Sequence, residues 1–356
     1  MDAKTQLQEY KQKLDIELNK YLTAKVQEAD RISPLTRELM EYIADLTLRG
    51  GKRIRAALMY YSYVAHGGKN TDEVLLASMS MELSETYLLI HDDIMDNDSL
   101  RRGGMTINTS YRQIGENLYH DKINTRNFGN SMAMLAGNVA CALSNELIAR
   151  SNFDKKDIVR ALDELNRVYV VEQYGQMLDV LSQLRENITT KDVLLVHQLK
   201  TAPYTFEGPL RIGAILAGAD EKSLQKLSDY AIPLGIAFQI QDDILGMFGS
   251  EEKLGKPVIS DLKEGKKTLL ILKALDRATA RQREIIEINL GNKKTTMNGL
   301  KDVREVINQT KSLDYSKAMA KKLVEEAVSA MNLLKLKKEG SVFLQNIADY
   351  MINREY

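Results

Sequence analysis

The stretch MELSETYLLIHDDIMDND, residues 81–98, is apolar at helical spacing over its first part and then places four aspartates in its last eight positions. In an α-helix Asp92 and Asp96 lie about 40° apart on one face, with Asp93 about 100° to the side. Two carboxylates therefore converge beside an apolar wall. Unpaired, they would repel each other and lose hydration, at several kcal/mol per ion, so they call for cations held close by. Oxygen-only ligands favour Mg²⁺ or Ca²⁺. A sparse pair on a rigid helix suits Mg²⁺, which keeps waters and completes its octahedron with phosphate oxygens. The alternative is a helix end leaving the core with its aspartates merely solvated.

A second stretch, FQIQDDILGMFG at residues 238–249, repeats the pattern. Asp242 and Asp243 follow an apolar helix and precede a glycine exit, so two acidic elements could face each other across a cavity. Metal ions bridging a diphosphate between them would neutralise both walls at once. Such an anion also needs direct cationic contacts. RGGKRIRAAL (49–58) sets Gly50 and Gly51 before Lys52, Arg53 and Arg55, a turn opening a helix that presents amides and cations to an anion. SLRRGG (99–104) puts Arg101 and Arg102 just past the first acidic cluster, and KLGKPVISDLKEGKKTLL (253–270) puts Lys256, Lys266 and Lys267 past the second. Each run alone reads most simply as solvated surface, and it is their placement beside the acidic clusters that argues for a site. In KTAPYT (200–205), Pro203 donates no backbone hydrogen bond, so a kink there would expose carbonyls beside Lys200 and Thr201; an ordinary break between helices is the other reading.

Around these motifs the chain is helical in pattern. Apolar residues recur at three- and four-residue spacing, and candidate helices cover 3–24, 35–48, 52–66, 72–97, 130–150, 155–184, 190–218, 221–248, 266–288, 300–310, 315–336 and 340–354. No repeat or low-complexity linker forces a boundary, so residues 1–356 are expected to form a single all-α bundle. Lys+Arg and Asp+Glu both total 49 in 356 residues, so no global charge draws the chain to nucleic acid. The single cysteine, Cys141, excludes an internal disulfide framework and fits a reducing compartment, simplest the cytoplasm. The N-terminus lacks the apolar region of a signal peptide, and the most apolar run, SMAMLAGNVACALSNELIA, is interrupted by Asn138 and Asn145, so no transmembrane segment is expected. His66, His91, His120 and His197 show no paired metal spacing, and His91 reads as structural.

Taken in order, GGKRIR, LIHDDIMDNDSLRRGG, YGQMLD, KTAPYT, FQIQDDILG and GKPVISDLKEGKKT closely resemble the trans-isoprenyl diphosphate synthases, the head-to-tail prenyltransferases. The resemblance spans residues 50–270 and is nearest to archaeal geranylgeranyl diphosphate synthases. It implies a helical bundle around a deep central cavity, isopentenyl diphosphate and an allylic diphosphate (dimethylallyl, geranyl or farnesyl) as substrates, three Mg²⁺ ions per active site, and a homodimer. Asp92 and Asp96 would hold two Mg²⁺ and Asp242 a third, supported by Asp93 and Asp243. Arg101, Lys200 and Lys256 would contact the allylic diphosphate. Lys52, Arg55 and Arg102 would bind isopentenyl diphosphate, with Gly51 giving backbone access, while Asp179, Gln239 and Lys266 would line the same cavity. Ionisation to an allylic carbocation, attack by the isopentenyl double bond and proton loss to pyrophosphate follow from that charge arrangement.

The chain departs from the family at several points. Gly246 stands where many relatives have a third aspartate, Asn138 where relatives often carry aspartate, and Glu85 where His or Gln is common near isopentenyl diphosphate. A carboxylate at 85 would repel phosphate unless it pairs with Lys52 or an arginine. Tyr87, about 7.5 Å of helix rise before Asp92, would floor a C20 pocket by analogy with archaeal-type synthases. Packing in the core is the alternative. The non-aromatic Leu88 and the absence of an insertion between the aspartates favour a C20 product over farnesyl diphosphate. A class I terpene cyclase shares the acidic motif but has no need for GGKRIR, and a non-catalytic synthase subunit would be expected to have lost aspartates.

Overall fold

The computed structural model describes residues 2–119, 121–249 and 258–352. Lys256 and His120 lie outside them. The chain divides into two compact units, Met1–Asp163 with Ile212–Gly218, and Glu164–Arg211 with Ala219–Tyr356.

The first unit opens with α1 (Ala3–Asp30), capped by Asp2 accepting from the Thr5 amide at 2.7 Å. Its stripe of Leu7, Tyr10, Leu14, Leu18 and Leu22 is buried. Each fully buried leucine contributes roughly 1.5–3 kcal/mol. The helix runs six residues beyond the expected end at 24, and there the buried Lys25 donates to Glu28 at 3.0 Å and Glu146 at 2.7 Å. Next come α2 (Pro34–Leu48), started by a Ser33 cap with proline in its first turn, α3 (Ile54–Ala65) and α4 (Thr71–Met95). Buried residues lie all round α4 from Val74 to Asp93, the sign of a central helix.

A two-residue hairpin follows, β1 (Leu100–Arg101) against β2 (Gly104–Met105), then α5 (Ile107–Tyr119) and α6 (Thr125–Ala149). The sequence pattern gives no helix at 107–119, where polar residues and Gly115 dilute the apolar face; Gly115 sits there because an added Cβ would press on the Phe128 ring at 3.1 Å. Despite Asn138 and Asn145, α6 is long and apolar enough to cross a membrane. Small residues seat it on α4: a Cβ at Gly137 would meet the His91 ring at 2.4 Å, and the hydroxyls of Ser84 and Ser144 lie 2.8 Å apart.

Helix α7 (Lys155–Leu184) coincides with its expected span. Beyond it lie α8 (Thr190–Val196), two successive π-turns, His197–Thr201 and Pro203–Glu207, and α9 (Gly208–Leu216). Pro203 therefore produces wide turns in a continuous helical path. Having no N–H, it cannot close an α-helical bond, and widening relieves the clash of its ring with the preceding turn.

The core of the second unit is α10 (Glu221–Phe248). Then follow α11 (Ser260–Glu264), α12 (Leu269–Arg277), α13 (Ala280–Asn289), α14 (Met297–Gln309), α15 (Ser312–Met331), which packs along α10, and α16 (Lys338–Ile352). The expected single helix 266–288 is two, divided at a Thr279–Gln282 capping box. A buried ionic network ties the unit together: Arg211 and Arg167 donate to Glu164 at 2.9 and 2.6 Å, and Arg167 and Ser228 donate to Glu207 at 2.8 and 2.6 Å.

Candidate active site

In the first unit α4 ends in acid, against the preference of a helix C-terminus for cations. Asp96 is its cap, the backbone N–H donating to the Asp92 carbonyl at 2.8 Å. The side chains of Asp92 and Asp96 are half-buried. Asp93 turns inward, 1% exposed, and its Oδ1 accepts from Arg101 Nε at 2.7 Å while Oδ2 is buried without a hydrogen-bond partner. Burial pushes the Asp93 carboxyl up to about 7 against the opposing pull of Arg101. Arg101 also donates to Asp98 at 2.8 Å and lies 3.8 Å from Asp92, so this guanidinium braces three of the four aspartates.

The hairpin turn places both arginines. Arg102 (φ 51°) and Gly103 (φ 75°) form a two-residue loop with both residues left-handed, the geometry that fits the twist of paired strands. Left-handed backbone is costly for arginine. Arg49 braces the turn from beneath, donating to the Met105 carbonyl at 2.9 Å. Arg102 then reaches Glu85, to which it donates at 2.8 Å, and Arg55 of α3 lies 3.0 Å from the same oxygen. Glu85 thus meets the condition set for it by the sequence: it is paired, and with two arginines. Gly50 (φ 131°), Gly51 (φ 107°) and Arg53 (φ 57°) shape the loop that carries Lys52 into α3. Arg53 points away from that surface, donating to Asp15 at 2.8 Å and Glu82 at 2.7 Å. One turn before the acidic end, Tyr87 packs edge-on against His91 at 4.9 Å between centroids, while Leu88 is buried.

In the second unit the π-turns organise the polar residues. Gly175 of α7 fits against the Lys200 backbone so closely that a Cβ would come within 2.3 Å of its amide nitrogen. From that contact Lys200 donates to Asp179 at 2.7 Å. Thr201 donates to Gln239 at 2.7 Å and Gln239 to Asp243 at 3.0 Å. His197 Nε2 lies 3.3 Å from the other Asp243 oxygen. The sequence pattern did not single out His197 for this place. Asp242, one residue earlier, is half-buried. Lys266 lies 3.1 Å from Glu264 and 3.7 Å from Asp261. Asp261, which the sequence pattern did not single out, lies against Gly246: a Cβ at 246 would sit 2.5 Å from its Oδ2, so any side chain there would require Asp261 to swing aside.

Among the described residues no three His, Cys, Asp or Glu side chains converge to hold a metal unaided. Within the first unit, the donor set of half-buried Asp92 and Asp96 beside the unpartnered Asp93 oxygen fits a hard cation that takes one or two carboxylates and fills its remaining positions from water and phosphate.

The all-α architecture and the ordered acidic and basic motifs define an enzyme of the isoprenoid synthase fold. A family model described as polyprenyl synthetase matches residues 34–308, and the chain belongs to that family. It is 32% identical over 320 residues to a geranylgeranyl diphosphate synthase of Sulfolobus acidocaldarius, covering 89% of this chain and 91% of that one. It is also 32% identical to a geranylfarnesyl diphosphate synthase of Aeropyrum pernix, covering 86% of this chain and 91% of that one. Among solved structures, a geranylgeranyl pyrophosphate synthase of Corynebacterium glutamicum complexed with isoprenyl diphosphate and magnesium superposes with a TM-score of 0.90 at 27% identity, covering 98% of this chain and 99% of that one.

Proposed function

We propose that this prenyltransferase condenses isopentenyl diphosphate with an allylic diphosphate and releases geranylgeranyl diphosphate. The observation that carries this is an aspartate pair on a helix in each unit: in the first, Arg101 already donates to Asp93, and in the second Gln239 links Thr201 to Asp243, while the neighbouring Lys200 donates to Asp179. Asp92, Asp96 and Asp242 would hold Mg²⁺, three ions per site. When bound, Mg²⁺ supplies Lewis-acid stabilisation of the departing pyrophosphate.

The chain's own residues do the rest. Arg101, Lys200 and Lys256 hold the allylic diphosphate, and Lys52, Arg55 and Arg102 hold that of isopentenyl diphosphate. Carbonyls of the widened turns beside Thr201 direct dipoles toward the developing allylic cation. Proton loss to pyrophosphate completes the condensation. Tyr87 limits the growing chain. An apolar stripe exposed on α7, Val170, Tyr174, Met177 and Leu181, supports assembly as a homodimer, in a reducing cytoplasm.

Mass analysis of products from isopentenyl diphosphate with dimethylallyl, geranyl or farnesyl diphosphate tests this. A C20 product is expected with Mg²⁺ and none with EDTA; Asp92→Ala and Asp242→Ala abolish it, and Tyr87→Ala lengthens it. Failure to elongate any primer refutes the reaction, and an unchanged product from Tyr87→Ala refutes the floor.

A further inference from the structure

The basic loop is already charge-balanced by the protein. Arg53, its side chain 1% exposed, is engaged by Asp15 and Glu82, the latter also 1% exposed. Arg55 and Arg102 converge on one oxygen of Glu85, at 3.0 and 2.8 Å. The Glu85 side chain is 15% exposed, and both arginines are similarly sheltered, at 14% and 17%. Burial alone would raise the Glu85 carboxyl, but the guanidiniums of Arg55, Arg102 and Arg53 outweigh it and hold it below the usual range. Glu85 is therefore an anion at neutral pH. Arg53, Arg55 and Arg102 are thus matched by Asp15, Glu82 and Glu85.

A carboxylate in this place does two opposed things. It assembles two guanidiniums from different elements, α3 and the hairpin, into one pair before any ligand arrives, which lowers the ordering cost of binding. It also subtracts a full charge from a site meant for a polyanion, where like-charge juxtaposition costs several kcal/mol. A glutamine separates the two effects, because its amide oxygen still accepts from both arginines but carries no charge.

We propose that Glu85 is the positioning residue that sets the affinity for isopentenyl diphosphate, holding Arg55 and Arg102 as one diphosphate-binding pair while weakening its pull. This rests on the reading of the loop as the isopentenyl diphosphate site. The bound diphosphate meets a ready-made pair at reduced charge. Affinity for this substrate is consequently limited by Glu85, and the allylic diphosphate is untouched by it.

Steady-state kinetics of the full-length enzyme test this, with isopentenyl and farnesyl diphosphate varied in turn and isopentenyl diphosphate binding followed by calorimetry without a primer. Glu85→Gln is expected to lower KM and Kd for isopentenyl diphosphate roughly tenfold, leaving kcat and the KM for farnesyl diphosphate within twofold. Glu85→Asp, which keeps the charge on a shorter arm, gives no such gain. Urea midpoints establish that both variants fold. Wild-type enzyme that elongates no primer overturns the reading of the reaction. Wild-type turnover with an unchanged or raised KM in Glu85→Gln, or an equal gain in Glu85→Asp, overturns the role of Glu85 alone.

Discussion

Replacing Gly175 with alanine probes how tightly the second unit holds its catalytic candidates. The new methyl would lie 2.3 Å from the Lys200 nitrogen and 2.6 Å from the Leu199 carbonyl carbon, where ordinary contact begins near 3.4 Å. All the atoms it meets are backbone, so no rotamer change can make room. Helix α7 and the first π-turn must part by about 1 Å, and overpacking of this kind costs roughly 1–3 kcal/mol. For a cooperative unit of this size that is a fall of roughly 2–12 °C in Tm. The same displacement stretches the Lys200–Asp179 bond from 2.7 Å and tilts Thr201 away from Gln239. Misplacement by about 1 Å can cost 10²-fold in rate. Calorimetry and single-turnover prenyl transfer measure the two effects. Gly218→Ala serves as the control, since nothing lies within 4 Å of its Cβ and only a backbone strain at φ 82° is introduced. A Gly175→Ala protein with the wild-type Tm and rate would show that the close approach does not position Lys200.

The Arg53–Glu82 pair gives a second expectation. Arg53→Met leaves a buried carboxylate uncompensated and should cost about 3–5 kcal/mol, while Arg53→Met with Glu82→Leu recovers most of it; urea unfolding of the four proteins in the cycle checks this, and independent, additive losses would contradict it. His66 gives a third. Its Nδ1 lies 2.8 Å from the Ser62 carbonyl, and burial lowers its pKa from 6.5. The unfolded chain therefore binds the proton more readily, so stability is intact above pH 6.5 and falls below it, by at most about 1.4 kcal/mol per pH unit. His66→Gln should flatten urea midpoints between pH 6.5 and 5, and an equal acid slope in both proteins would exclude His66 as its source.

What could be read from the chain was what depends on local pattern. Helix α7 came out at its full length because its apolar spacing is uninterrupted, and both acidic clusters lie on helices because the residues before them are apolar at the right period. The short helix α5 escaped because its stability comes from tertiary packing, Gly115 on Phe128, more than from its own composition. The division between α12 and α13 was signalled by the Thr279–Gln282 capping box, but without glycine or proline it does not stand out. Partners distant in sequence were the hardest to see. Nothing near Glu85 says that Arg55 and Arg102 would share its oxygen, and neither His197 nor Asp261 belongs to a pattern of its own.

The tandem π-turns make residues 197–207 sensitive to length in an uncommon way. Each wide turn accommodates one residue more than an α-helix would, and each such residue advances the helical face by about 100°. A deletion here would not simply shorten a connection, because one wide turn could tighten to α-helical spacing while the helix continues through the segment. The helical path would survive with Lys200 and Thr201 swung off Asp179 and Gln239. Among natural variants, single-residue gaps in this segment should therefore be selected against more strongly than gaps of similar size in the loops.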